Sequence, residues 1–461
     1  MDPHPRKGTV RGHEGANSTI FTVNGTSRRA ALALEPRRAY GPPPLSGGCQ
    51  VTLSAIRNTP EKEAPHTNGT SAHAQTNGTP GVGVERHLRF HDEKLAARFA
   101  SGKVAMSTLF EAYFNGEVDI VGDIGAFLDE RDRYVSYSLT AEHFRFLFKN
   151  FIPEVTIHSK DQDRRIVRGH YDRGNDFFGA FLGERMVYTA GYFKNGIDKS
   201  TLEEAQDEKI DRVCKKLMVK PGDKFLDVGC GWGTLVRNAA AKFGADATGI
   251  TISKNQTEFG NGRITKAKVE DKARVLCLDY RDIPAQTYDK IASLEMVEHV
   301  GVKNLSKFFE QMYGLLKDDG QFLLQWTGLR RGASEGVPVI GLRPEDLIWG
   351  LFMNKYIFAG ADASLPLSEM CKYAEKAGFE IHSVENVSIH YAWTIQKWHE
   401  NWLSNRDQVL STYGERWFRI WNLFLAWSVR IAEQGNAACF QVVFNKNRDR
   451  FDRSVYVGNS I

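Results

Sequence analysis

The run "KFLDVGCGWG" at residues 224–233 constrains this chain most. Apolar residues and Asp227 pass straight into glycines at 229, 231 and 233, as in a buried strand that turns sharply into a helix. The helical "TLVRNAAAKFG" follows, and the alternation repeats. "DATGITIS" reads as a second strand and "KNQTEFGNGRITKAKVEDKA" as a second helix. "RVLCLDY", "KIASLEM" and "GQFLLQWTG" supply three further strands, with the helix "NLSKFFEQMYGLLKDDG" before the last. Strands and helices alternating at this spacing predict an α/β fold, a parallel, doubly wound, Rossmann-like sheet with helices on both faces. Such a sheet receives ligands at the carboxyl ends of its strands.

The glycine turn is GxGxG and not the GxGxxG of dinucleotide enzymes. It allows a ligand to approach the backbone at a helix N-terminus. The second strand ends at Thr251, where a dehydrogenase places Asp or Glu for the ribose hydroxyls, so NAD is disfavoured. The third ends in "LDYRD", which sets Asp279 and Tyr280 against an adenine edge. The fourth ends in "SLEMVEHVG", which brings Glu295, Glu298 and His299 together. Taken as a set, these strand ends point to S-adenosylmethionine. "EMVEH" is neither HExxH nor HxxEH, so no metal site is expected.

Residues 1–86 hold nine of the fifteen prolines and two copies of "TNGT", a composition that cannot bury a core and predicts a disordered tail. Its excess of Arg and Lys up to Arg57 leaves mitochondrial targeting as an alternative to a plain solvated tail. Residues 87–163 predict a small helical N-terminal region, residues 164–446 the catalytic domain, and residues 447–461 a C-terminal tail. No window approaches the roughly 20 apolar residues of a membrane span. "WFRIWNLFLAWSVRIA" (417–432) is interrupted by arginines and predicts a buried amphipathic helix. Six scattered cysteines without CxxC spacing suit reduced thiols in an intracellular protein. A net charge of +4 is too small to argue for nucleic acid.

Residues 165–445 resemble the cyclopropane-fatty-acid synthase family of S-adenosylmethionine-dependent methyltransferases. The resemblance is carried by "HYDRGNDFFGAFLGERMVYTAGYF", "FLDVGCGWGTL", "GITISKNQ", "SLEMVEHVG", "NKYIFAGAD" and "HYAWTIQKWHENW". Within the family, "LQWTGLRRG", "YDRGNDF" and "QGNAACFQVVFNKN" look most like fungal sphingolipid carbon-9 methyltransferases. The resemblance implies a class I methyltransferase fold, with cofactor contacts from Tyr171, Tyr188, Thr189, Asp227, Gly229, Gly231, Thr251 and Gln256; Asp279 joins them from its strand end. It also implies a lipid or other hydrophobic alkene substrate, with peripheral membrane contact. In the cyclopropane synthases a bound bicarbonate acts as the base. Its cage would here draw on Glu298, Tyr391 and the Leu294 carbonyl, while Ala190 stands at the family's Cys position and Gln325 at its His position.

Methylation of an alkene leaves a carbocation that must lose a proton, so the site needs aromatic faces and a base. Tyr188, Tyr192, Phe193 and Trp232 are the aromatic candidates, beside Phe177 and Phe178, of which one or both are expected in the core. Glu298 is the expected base, directly or through bicarbonate or water, with Tyr391 as its partner. His299 is expected to support the turn, His390 to pack, and Glu295 to lie at an edge near the cofactor. The exchanges at Ala190 and Gln325 favour a branched alkene as product. Methylation of a soluble specialised metabolite and cyclopropane formation remain as alternatives.

Overall fold

The computed structural model describes residues 83–146, 149, 160–163, 173–330, 343–361 and 365–458. The proline-rich tail up to residue 82, and Tyr171, lie outside these residues. The catalytic sheet has seven strands: β1 (Lys224–Val228), β2 (Asp246–Thr251), β3 (Ala273–Cys277), β4 (Tyr288–Leu294), β5 (Leu316–Leu329), β6 (Phe379–Asn386) and β7 (Ala437–Lys446). Their order across the sheet is β6-β7-β5-β4-β1-β2-β3. β1 to β5 pair in parallel, as the alternation predicts.

The sheet is nevertheless mixed. β7 inserts between β5 and β6 and runs antiparallel to both. The strand–helix alternation predicts only the first five of these strands. β6 lies at the sheet edge with half-exposed and exposed polar positions, so it shows no apolar run to mark it.

Side chains alternate across β1. Leu226 and Val228 pack into the core beneath α5 (Leu305–Leu315), while Phe225 packs on the opposite face with α2 (Leu202–Lys216) and α3 (Thr234–Phe243). This is the doubly wound arrangement. Local chemistry fixes the helix ends that feed the site. Thr201 and Glu204 form a reciprocal capping box at the start of α2, and Ser253 caps α4 (Lys254–Lys266) by accepting from Gln256 N.

Before the sheet, the helices Glu93–Ser101, Met106–Asn115 and Ile124–Glu130 pack with two small strand pairs that helical periodicity did not show. They share a core with the long helix Glu415–Glu433, in which Trp421 and Trp427 are fully buried. The segment 417–432 is thus a buried helix. No helix among the described residues is long and apolar enough to cross a membrane. Arg131 ties the two parts together: its Nε donates to Glu345 Oε1 at 2.7 Å, and Trp427 Nε1 donates to the same oxygen at 3.1 Å. Arg131→Met leaves that carboxylate buried without its cation and is expected to cost about 3 kcal/mol. A thermal melt checks this, and an unchanged Tm would show the clamp to be dispensable.

Candidate active site

A cleft opens at the carboxyl ends of β1 to β4, with about 1100 Å³ of empty space that is partly open to solvent. Its wall includes Tyr188, Thr189, Asp227, Gly229, Gly231, Thr251, Gln256 and Asp279, so eight sequence-selected residues meet in one place. Gly229 has φ +82°, and a Cβ there would sit 2.4 Å from Met296 Cγ. Gly231 has φ +53° with open space where a side chain would start. The chain therefore exposes bare backbone to the cleft at the start of α3.

On the next strand, Thr251 Oγ1 donates to Gln256 Oε1 at 2.6 Å, which holds both side chains at the rim. Asp279 is less free than its position suggests. Arg281 grips it with Nε at 2.8 Å and Nη2 at 2.7 Å, and also reaches Asp163 at 2.9 Å. Burial raises the Asp279 carboxyl, but these bonds outweigh burial and hold it below its usual range. The backbone cradle, buried Asp227 and a polar rim fit S-adenosylmethionine.

Sequence reasoning passed over Lys209, which is buried on α2. Its Nζ donates to Thr189 Oγ1 at 2.8 Å. Burial pulls its pKa down to about 8, against the attraction of Glu295 and Asp227. Burial pushes Asp227 up to about 7, with Lys209 pulling the other way. The signal that could have found it is its place in α2, where Lys209 falls on the core-facing stripe with Leu202, Ala205, Ile210 and Val213.

The proton-handling residues meet around Glu295, which corrects its expected place at an edge. Glu295 follows β4 directly and has φ +55°, a left-handed backbone that costs a non-glycine residue about 1–2 kcal/mol. Its Oε1 accepts from Ala190 N at 3.2 Å, from Gln325 Nε2, and from the Cys439 thiol at 3.7 Å. The Tyr391 hydroxyl also donates to its carboxylate. Sheet register explains the convergence. Gln325 stands opposite Leu294 on β4 and opposite Gln441 on β7, and Gln441 Nε2 donates to Gln325 Oε1 at 2.8 Å.

Glu298 stands differently from expectation. Its Oε1 accepts from Thr327 N at 2.7 Å, its Oε2 has no partner among the described residues, and Tyr391 bonds to Glu295 instead. Burial and the nearby Glu295 charge raise its pKa to about 8, so it is largely protonated at neutral pH. Of the groups expected to hold bicarbonate, Tyr391 bonds to Glu295 and Glu298 accepts from Thr327 N, while Gln325 and the Ala190 backbone, at the family's His and Cys positions, also bond to Glu295, so the site does not fit a separate bicarbonate in that cage.

The aromatic candidates divide. Tyr188 and Trp232 line the cleft, with Trp232 Nε1 held by Asn175 Oδ1 at 2.7 Å. Phe177 lies in the core against Trp402 and Trp421, and Phe178 is equally buried between Tyr188 and Trp232. Tyr192 stacks on His390, whose Nδ1 accepts from Phe193 N at 3.2 Å; His390 packs as expected. Phe193 is buried against Trp393. His299 lines the cleft wall. No group of residues suited to a metal occurs among the described residues.

Comparison with known proteins places this architecture. The family model for mycolic acid cyclopropane synthetase matches residues 158–442. The chain belongs to this family. It is an S-adenosylmethionine-dependent methyltransferase, as its glycine turn and strand ends implied. It is 48% identical to a sphingolipid C9-methyltransferase of Komagataella phaffii, over 82% of this chain and 78% of that protein. It is 46% identical to sphingolipid C9-methyltransferase 2 of Gibberella zeae, over 80% of this chain and 70% of that one. Among solved structures, the mycolic acid cyclopropane synthase CmaA1 complexed with SAH is 28% identical with a TM-score of 0.57, covering 61% of this chain and 98% of that chain.

Proposed function

We propose that this methyltransferase adds a methyl group to an alkene carbon in the long-chain base of a sphingolipid. The observation that carries the reading is 48% identity to a sphingolipid C9-methyltransferase along four-fifths of the chain. The site's chemistry supports it. S-adenosylmethionine, when bound, supplies an electrophilic methyl carbon. Gly229, Gly231, Thr251 and Gln256 hold the cofactor, while the faces of Tyr188 and Trp232 exclude water and stabilise positive charge, each contributing about 0.5–2 kcal/mol. The cluster of half-buried Glu295, Glu298 and Tyr391 with buried Gln325 handles the proton that the methylated lipid must release. A substrate with membrane-embedded hydrocarbon also carries peripheral membrane contact with it.

Purified protein with methyl-labelled S-adenosylmethionine and a fungal total lipid extract is expected to place label in the long-chain bases released by hydrolysis. The labelled base should take up hydrogen under mild hydrogenation, as a branched alkene does and a cyclopropane does not. Label confined to fatty acyl chains would overturn the sphingolipid reading, and label only in water-soluble products would overturn a lipid substrate altogether.

A further inference from the structure

We propose that the Glu295 carboxylate is the built-in proton acceptor of the reaction, standing where a bound bicarbonate would otherwise serve. The proposal rests on the reading of the protein as an alkene methyltransferase. Three independent features of the structure lead to it.

The first is backbone. A glutamate in the left-handed region is an unfavourable choice in a turn where glycine would be unstrained, and such strain gathers where a side chain is needed. The second is position. Of the cluster, Glu295 is the carboxylate in the cleft wall, beside Met296 and close to the glycine cradle, whereas Glu298, Gln325 and Tyr391 do not line the cleft.

The third is the direction of the hydrogen bonds. Lys216 can only donate, and its Nζ reaches Gln441 Oε1 at 2.6 Å. The Gln441 amide must then present its NH₂ to Gln325 Oε1, which turns the Gln325 NH₂ toward Glu295. Each group along this chain donates to the next and the last, Gln325, donates to Glu295 Oε1, where Ala190 N and the Cys439 thiol also donate. An end point that receives only donors is built for an anion. Glu298 accepts from backbone alone, Thr327 N and its own N–H, and lies within the field of Glu295, so of the two carboxylates Glu295 keeps the charge. Burial still leaves the Glu295 pKa above the usual carboxylate range, which makes it a stronger proton acceptor than an exposed glutamate.

In the step itself the alkene π pair forms the new bond to the methyl carbon, and the carbon–sulfur bond breaks onto sulfur. The cation left on the neighbouring lipid carbon then loses a proton to a Glu295 oxygen. The electron pair of that C–H bond becomes the double bond of the branched product, and Glu295 returns its proton to solvent.

The test uses the full chain, labelled S-adenosylmethionine and the lipid extract, in buffer stripped of carbon dioxide with or without added bicarbonate. Wild type is expected to run at the same rate in both. Glu295→Gln is expected to lose about 100-fold or more in kcat. Its affinity for S-adenosylhomocysteine, read by calorimetry, should stay within about threefold of wild type. A wild type that stops without bicarbonate and resumes with it overturns the proposal, as does a Glu295→Gln variant with full turnover. Should that variant fail to bind S-adenosylhomocysteine, Glu295→Gly decides, because glycine accepts the left-handed backbone and leaves a hole. Rescue of Glu295→Gly by bicarbonate or acetate supports the proposal, and no rescue overturns it. A wild type that labels no lipid at all instead overturns the functional reading beneath it.

Discussion

Gly229→Ala is expected to weaken S-adenosylhomocysteine binding by about 100-fold, the upper range of what a few kcal/mol of local strain can do. Two effects act on the same atom. The backbone there has φ +82°, where an added Cβ is strained in itself, and that Cβ would lie 2.4 Å and 2.5 Å from Cγ and Cβ of Met296. These Met296 atoms are close to the backbone and cannot swing aside as a side-chain tip could. Relief requires moving either the glycine turn or the residue after Glu295, and both belong to the cleft wall. Calorimetric titration of the apoprotein reads the affinity, and a melt alongside separates a lost site from a lost fold. Wild-type affinity in the variant would show that the turn has room to adjust.

Lys209→Met is expected to produce a loss of stability that depends on pH. Asp227 is buried and Glu295 half-buried, and each carboxylate feels the Lys209 charge. The folded pKa of Asp227 is raised to about 7, so its contribution to stability is full at low pH and is lost as pH rises through that value. Removing Lys209 removes the influence that holds this pKa down and makes ionisation in the fold costlier. At about pH 7.5, where Asp227 is largely ionised and Lys209 still largely charged, the variant should therefore lose about 3 kcal/mol, seen as a Tm several degrees below wild type. At about pH 5.5 Asp227 is largely protonated and wild type must itself bury a charged lysine, so the two proteins should melt close together. An equal Tm difference at both pH values would mean that Lys209 acts through packing and its bond to Thr189 alone.

The sequence alone determined most of the fold and half of the site. The fold was legible because β1, β2, β4 and β5 are covered on both faces and so read as largely apolar runs, each stopped by a glycine or polar residue at the end that receives a ligand, while β3 at the sheet edge was read from its place in the strand–helix alternation. Those same stops delivered Asp227, Gly229, Gly231, Thr251 and Asp279 to one cleft, since parallel strands share a carboxyl edge. β6 escaped because an edge strand needs no apolar run. β7 is rich in apolar residues but lies far along the chain, and its reversed direction breaks the strand–helix alternation that identified the others.

Only the tertiary structure decided the proton chemistry. Ala190, Gln325, Tyr391 and Cys439 come from a loop, two strands and a helix, and nothing in their spacing says that they face one carboxylate. Nor could "SLEMVEHVG" rank its own two glutamates, because burial and donor direction are properties of what surrounds a residue. The sequence put both carboxylates at the end of the fourth strand. The packing turned Glu295 toward the cleft with its donors in place and left Glu298 holding Thr327, since a left-handed backbone at one residue sends the two side chains to different neighbours.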